Sequence, residues 1–205
     1  MVRYGTSDAI DPEGWQLELE GGAFTRVDIG TGTDVDAVDF RVGVTMTWRS
    51  GNTAFEGGTY HISSHIGDEF RDRNPDFERR DYVRDALVAG ITQNLNDAIS
   101  VYGEIGYAYG IQGGAEPLEF QFGAEYAPSS ASGCRGTPFA AVNGHLREEF
   151  DFGENIKSLT GWQWPSSESG RVIRTGSQYF NGKALQYEFF DKHEELFGIG
   201  VWFDF

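Results

Sequence analysis

The last nine residues, Phe197-Gly198-Ile199-Gly200-Val201-Trp202-Phe203-Asp204-Phe205, constrain the fold more tightly than any other stretch of the chain. Phe197, Ile199, Val201, Phe203 and Phe205 fall on one parity; Gly198, Gly200, Trp202 and Asp204 fall on the other. Strand side chains alternate between faces, so one face is wholly apolar and the other small or polar. A soluble chain rarely ends on such a strand closed by an aromatic. Bacterial outer-membrane barrels commonly do, and these five residues match the signal that barrel-assembly machinery reads.

Composition agrees with a barrel. Hydrophobic content is 39%, mean hydropathy is −0.43, and no apolar run approaches the ~18 residues of a spanning helix. A transmembrane barrel escapes that test because only alternate residues face lipid. The 15% aromatic content and 28 glycines suit a glycine-bearing β-structure with aromatic belts. The net charge of −16 argues against nucleic-acid binding. It reads as a solvated surface, or as an acidic rim that takes divalent cations. The single cysteine, Cys134, excludes an intrachain disulfide. Met1-Val2-Arg3-Tyr4 lacks the apolar core of a signal peptide. The expectation is a removed signal or an N-terminal truncation, with Val2-Arg3-Tyr4 as the tail of an earlier strand.

The period-2 pattern recurs and predicts ten strands, at about 15–28, 35–49, 52–66, 82–93, 98–111, 118–127, 138–149, 155–164, 171–180 and 194–205. Several run ~10–14 residues, where soluble strands usually run ~5–6 and tilted membrane strands need ~9–11. With the last strand running down toward the periplasm, Trp15, Trp48, Trp162 and Trp164 gather near the periplasmic ends as an interfacial girdle. Trp202 lies there too, with inward parity. Leu87, Ala89 and Ile91 are expected to face outward, as are Ile156, Thr160, Trp162 and Trp164, leaving Lys157 inside.

The third strand ends Thr59-Tyr60-His61-Ile62-Ser63-Ser64-His65-Ile66-Gly67-Asp68-Glu69. If Tyr60 and Ile62 set the outward parity, His61, Ser63 and His65 face the lumen near the external mouth, with Asp68 and Glu69 just beyond. His61 and His65 stand about 13 Å apart along a strand, too far to share one zinc. Ser63 beside either histidine suits a nucleophile–base pair that Asp68 or Glu69 orients. The plainer reading is a hydrogen-bonded lumen network. Arg41, Glu104, Glu119, Glu125, His145, Arg147 and Arg174 share the lumen and mix both signs, as interstrand ion pairs require. The arginines of the loop 68–81 suit lipopolysaccharide phosphates or plain solvation.

Several stretches resemble an uncharacterised bacterial family, the domain-of-unknown-function family 1207. They are Tyr60 to Glu69, Leu146-Arg147-Glu148-Glu149, Gly161-Trp162-Gln163-Trp164, Arg174-Thr175-Gly176 and Gln178-Tyr179-Phe180-Asn181-Gly182, together with the C-terminal strand. The resemblance implies exported proteins longer than this chain, with a further N-terminal part, and no assigned activity.

The expectation is an all-β, antiparallel up-and-down transmembrane β-barrel in the bacterial outer membrane. Residues 1–205 form one domain, with 1–14 as a lead-in or strand remnant. Ten strands lie in this chain and twelve in a longer one. The expected role is structural or ligand-binding, with a polar, side-chain-filled lumen. An outer-leaflet lipid hydrolase, a narrow solute channel, and a soluble sandwich or lipocalin-like binder are the alternatives. No cofactor is expected, apart from divalent cations at the acidic rim. Expected partners are membrane lipid, lipopolysaccharide and the assembly machinery.

Overall fold

Eleven strands follow one another in a single antiparallel sheet, in sequence order. The computed structural model describes residues 1–6, 12–30, 32–128, 133–166 and 171–204. The strands are β1 (Val2–Gly5), β2 (Gly14–Asp28), β3 (Asp34–Ser50), β4 (Thr53–Ile66), β5 (Val83–Asn94), β6 (Ile99–Gln112), β7 (Leu118–Tyr126), β8 (Thr137–Arg147), β9 (Gly153–Pro165), β10 (Val172–Lys183) and β11 (His193–Asp204). One short helix, α1 (Asp68–Arg73), precedes β5. β2 to β11 match the ten predicted strands, and β1 holds the stretch Val2-Arg3-Tyr4.

Turn chemistry sets the meander. Gly51 takes φ +54° in the tight β3–β4 turn, a left-handed conformation that suits glycine. At the β5–β6 turn, the Asn96 side chain accepts the amides of Ala98 and Ile99, both at 2.9 Å.

The sheet is strongly curled. β2 and β11 lie nine intervals apart in strand order, ~43 Å in a flat sheet at ~4.8 Å per interval. Yet Arg26 of β2 is ion-paired with Glu194 of β11. Arg174 of β10 likewise reaches Glu125 of β7 at 2.9 Å across the concave side. Curling stops short of closure: among the described residues no strand pairs β11 on its far side. β1 covers the β2 edge only from Gly14 to Leu17.

The two faces have opposite character. Phe40, Val42, Val44, Met46 and Trp48 of β3 point outward and are exposed, as are Leu87 and Ile91 of β5 and Ile105, Tyr107 and Tyr109 of β6. Ile156 and Trp162 on β9 follow, and Lys157 faces inward as expected. On the edge strand, Ile199 is 86% exposed.

The concave side holds the core. Tyr60, Ile62, Tyr82, Ala86, Val88, Ala108, Ala115 and Phe190 form one cluster. Ala37, Ala184 and Phe189 form another, with Ile66, Phe70 and Phe77 packed against it. Both lie toward the end that carries the longer connections 67–82 and 184–192.

This overturns one orientation read from the sequence. Tyr60 and Ile62 face inward, so His61, Ser63 and His65 face outward. The register decides it: Val42 pairs with His61, Phe40 with Ser63, and Trp48 with Phe55, so these residues share the convex face. The misreading has a physical cause. The interior is apolar where the connection 184–192 packs into it, so apolar side chains mark the inside there.

All five tryptophans lie at the opposite end. Trp15 pairs with Trp48, and Trp48 stacks on Phe55 with ring centroids 5.8 Å apart. Trp162 and Trp164 donate to the carbonyls of Arg135 and Cys134, at 2.7 and 3.3 Å, which ties down the long β7–β8 connection. Trp202 turns inward against Phe139. Phe197, Ile199, Val201 and Phe203 line the outer face of β11; Phe205 lies outside the described residues.

Candidate functional site

Two groups of polar side chains stand back to back on β4 and β5. The inner group is enclosed except at His145, which is partly exposed. Arg84 of β5, with no exposed surface, donates through Nε to the Tyr60 hydroxyl at 3.0 Å. It also donates through Nη2 to the Pro117 carbonyl at 3.0 Å. The Tyr60 hydroxyl donates to Glu119, which also bonds His145 Nε2 at 3.0 Å. Arg147 bonds Glu149 at 3.2 Å and lies between the Phe150 and Tyr187 rings, 4.3 and 4.8 Å from their centroids. Tyr82 donates to the same Glu149 oxygen at 3.1 Å. Buried charges survive only when paired and hydrogen-bonded, and this cluster meets that condition at most of its atoms.

The connection 184–192 closes this end. The buried Glu188 carboxylate accepts the amides of Arg80 and Asp81, both at 2.9 Å. Its own amide donates to Ser64 Oγ at 3.1 Å, and Ser64 donates to Asp39. The Tyr187 amide completes the anchor on Asp39 at 3.2 Å. Tyr187 stacks on Tyr82 at 4.6 Å. Burial pushes both phenols above the ordinary tyrosine range.

Six of the interior residues named from the sequence have charged or aromatic partners. Arg41 bonds Glu20 at 3.0 Å and lies over the Tyr60 ring. Glu119, His145 and Arg147 belong to the enclosed group, and Glu125 and Arg174 pair with each other. Glu104 stands across Gly90 from Glu56 in register. Sequence reasoning missed Tyr60, Tyr82, Arg84, Glu149 and Glu188. Arg84 had a usable signal: once Leu87, Ala89 and Ile91 face outward, an arginine on the opposite parity needs interior partners.

The outer group is sparse. His61 Nδ1 lies 2.8 Å from Asp85 Oδ1, across the β4–β5 pair. Ser63 follows two residues on, along the same face. His65 packs against Phe40 with ring centroids 5.9 Å apart. Asp68 and Glu69 open α1; Asp68 accepts from Arg71 at 3.0 Å, and the partner that His61 finds is Asp85 instead. A shallow groove of about 240 Å³ runs beside His61, lined by Val42, Gly43, Val44, Thr59, Tyr60, Asp85 and Tyr109.

The backbone makes room for this pair. β6 carries a bulge opposite Asp85 and Ala86, so that Asp85 faces Gly110. A Cβ at Gly110 would stand 2.6 Å from Asp85 Oδ2. The glycine therefore leaves the space that the carboxylate occupies.

The loop arginines are engaged with acids: Arg71 with Asp68, Arg73 with Asp34 and Asp36, Arg79 with Asp81, and Arg80 with Asp191. Among the described residues, no three His, Cys, Asp or Glu side chains converge as metal ligands. No helix among them is long and apolar enough to cross a membrane, which says nothing about strands. Comparison with curated proteins and with solved structures finds no match. The family model described as "Protein of unknown function (DUF1207)" matches residues 7–205, and the chain belongs to that family.

Proposed function

We propose that this chain is an integral β-barrel of the bacterial outer membrane, with a side-chain-filled polar interior and a structural or ligand-binding role. One observation carries the reading: the faces are inverted relative to a soluble protein. Arg84 has 0% of its surface exposed and Glu119 3%, while Phe197 and Phe203 are 76% and 61% exposed. A continuous apolar exterior of this kind is unstable in water and suited to lipid.

Direction supports a further strand. β1 and β11 are separated by ten antiparallel steps and so run the same way. All-antiparallel closure through β1 then takes an odd number of additional strands, and one makes twelve, an even total as bacterial barrels have. Unpaired edges in hydrocarbon cost several kcal/mol per group, which supplies the drive to close. The filled loop end disfavours the narrow-channel reading.

The test is folding into detergent or lipid vesicles, read by heat-modifiable gel migration and flotation, with outer-membrane fractionation in cells. A monodisperse protein folded in water without detergent would overturn the proposal. Single-channel steps in planar bilayers would favour the channel.

A further inference from the structure

We infer that Ser63, His61 and Asp85 form a nucleophile–base–acid triad on the lipid-facing side of the wall, and that it hydrolyses acyl esters of outer-leaflet lipids. The inference rests on the membrane reading above.

The residue types and their order are those of acyl transfer. The 2.8 Å contact with Asp85 holds the His61 ring through Nδ1 and leaves Nε2 as the nitrogen free to act as the base. Ser63 lies about 6.6 Å along the same face, a spacing that a hydroxyl–imidazole bond bridges. Among the described residues no hydrogen bond engages the Ser63 hydroxyl, whereas neighbouring Ser64 is committed to Asp39 and Glu188.

Depth matches the substrate. Ser63 is eight residues above Phe55, about 26 Å along the strand and about 20 Å along the axis at a tilt of ~40°. Phe55 and Trp48 stack at the tryptophan end. In an apolar band ~25 Å tall, Ser63 then lies in the outer leaflet, where acyl esters lie. The groove beside His61 has apolar walls from Val42 and Val44 for a chain. Along it the Tyr109 hydroxyl stands 3.4 Å from Thr59 Oγ1. Thr59 donates to the Ala86 carbonyl, so its oxygen accepts the Tyr109 hydroxyl proton.

The reaction balances with water as the second substrate. Ser63 Oγ attacks the ester carbonyl carbon as its proton passes to His61 Nε2. The carbon–oxygen bond to the glycerol or sugar breaks, and that oxygen takes the proton and leaves as an alcohol. Water then attacks the acyl-Ser63 carbonyl, His61 relays its proton back to Ser63 Oγ, and a free fatty acid departs.

The experiment uses the full chain folded into phospholipid vesicles, and separately into vesicles containing lipopolysaccharide. Flotation is read first; released fatty acid and labelling by a serine-directed fluorophosphonate follow. Labelling of Ser63 and hydrolysis of at least one lipid are expected. The arm that releases fatty acid assigns the substrate to phospholipid or to the lipid anchor of lipopolysaccharide. Ser63→Ala should abolish both signals, and His61→Asn should reduce them by at least a hundredfold. Ser63→Cys, which keeps a nucleophile, shows that the fold survives replacement at this position. Protein that inserts but neither labels nor hydrolyses overturns the triad alone. Hydrolysis retained in folded Ser63→Ala also overturns it. Protein that does not insert overturns the membrane reading instead.

Discussion

On the inner face of β4 and β5, Tyr60 and Arg84 commit their polar groups to each other, to the Pro117 carbonyl and to Glu119 of β7, which also holds His145 of β8. On the outer face of the same strands, His61 and Asp85 hold each other and Ser63 is left over. Chemistry is similar on the two sides, and its arrangement is opposite. A satisfied network removes the reactivity of its members and stabilises the wall. A single oriented imidazole beside an unengaged hydroxyl adds little stability and keeps a base available. The comparison teaches that polar residues on a strand are assigned by the completeness of their hydrogen bonding, and that residue type alone does not assign them.

Arg84→Ala should break this contrast most severely. It removes one member of a buried charged group, which costs about 3–5 kcal/mol. Urea unfolding of the detergent-folded protein reads the loss. Glu188→Ala comes next, because two partly solvated backbone amides lose their acceptor, at about 1–3 kcal/mol together. Limited proteolysis within 184–192 should accelerate with it. Gly110→Ala should leave the unfolding midpoint nearly in place while lowering ester hydrolysis about tenfold to a hundredfold. Its methyl displaces Asp85 and so misaligns His61, and small misplacements of this kind cost rate. An unchanged rate would show that Asp85 does not position the base.

High pH probes the inner group. Tyr82 and Tyr187 have folded pKa values raised by burial. Their contribution to stability is therefore present in full below the unfolded tyrosine value of about 10. It is lost as pH climbs from there toward the raised folded values. Stability should fall above that point, with tyrosinate absorbance appearing alongside unfolding. Smallest of all, His61→Asn should change stability by under about 0.5 kcal/mol, as half-exposed pairs contribute little. A large destabilisation would place His61 with the structural group after all.

Much of the fold was legible because alternation survives in long strands. Val38 to Trp48, Ile99 to Tyr109 and Phe197 to Phe203 each carry one clean apolar parity, and each turns it outward; the bulge after Tyr109 puts Ile111 across from inward-facing Arg84. The stretch from Tyr60 to Ile66 misled because its inner face is apolar. That face packs against Phe189 and Phe190 from a connection more than a hundred residues away in sequence. Asp85 was invisible as a partner of His61 for a related reason. The two are joined only by the β4–β5 register and by the bulge opposite Asp85, and neither is encoded within either strand alone.

The sequence by itself determined the strands, their lengths and the gathering of the tryptophans at one end, because these follow from local periodicity and turn residues. Tertiary structure alone decided which face of β4 looks inward, which carboxylate meets His61, and how Glu188 closes the interior. Those outcomes depend on register and on a distant connection filling space, and a period of two is the same whichever face it serves.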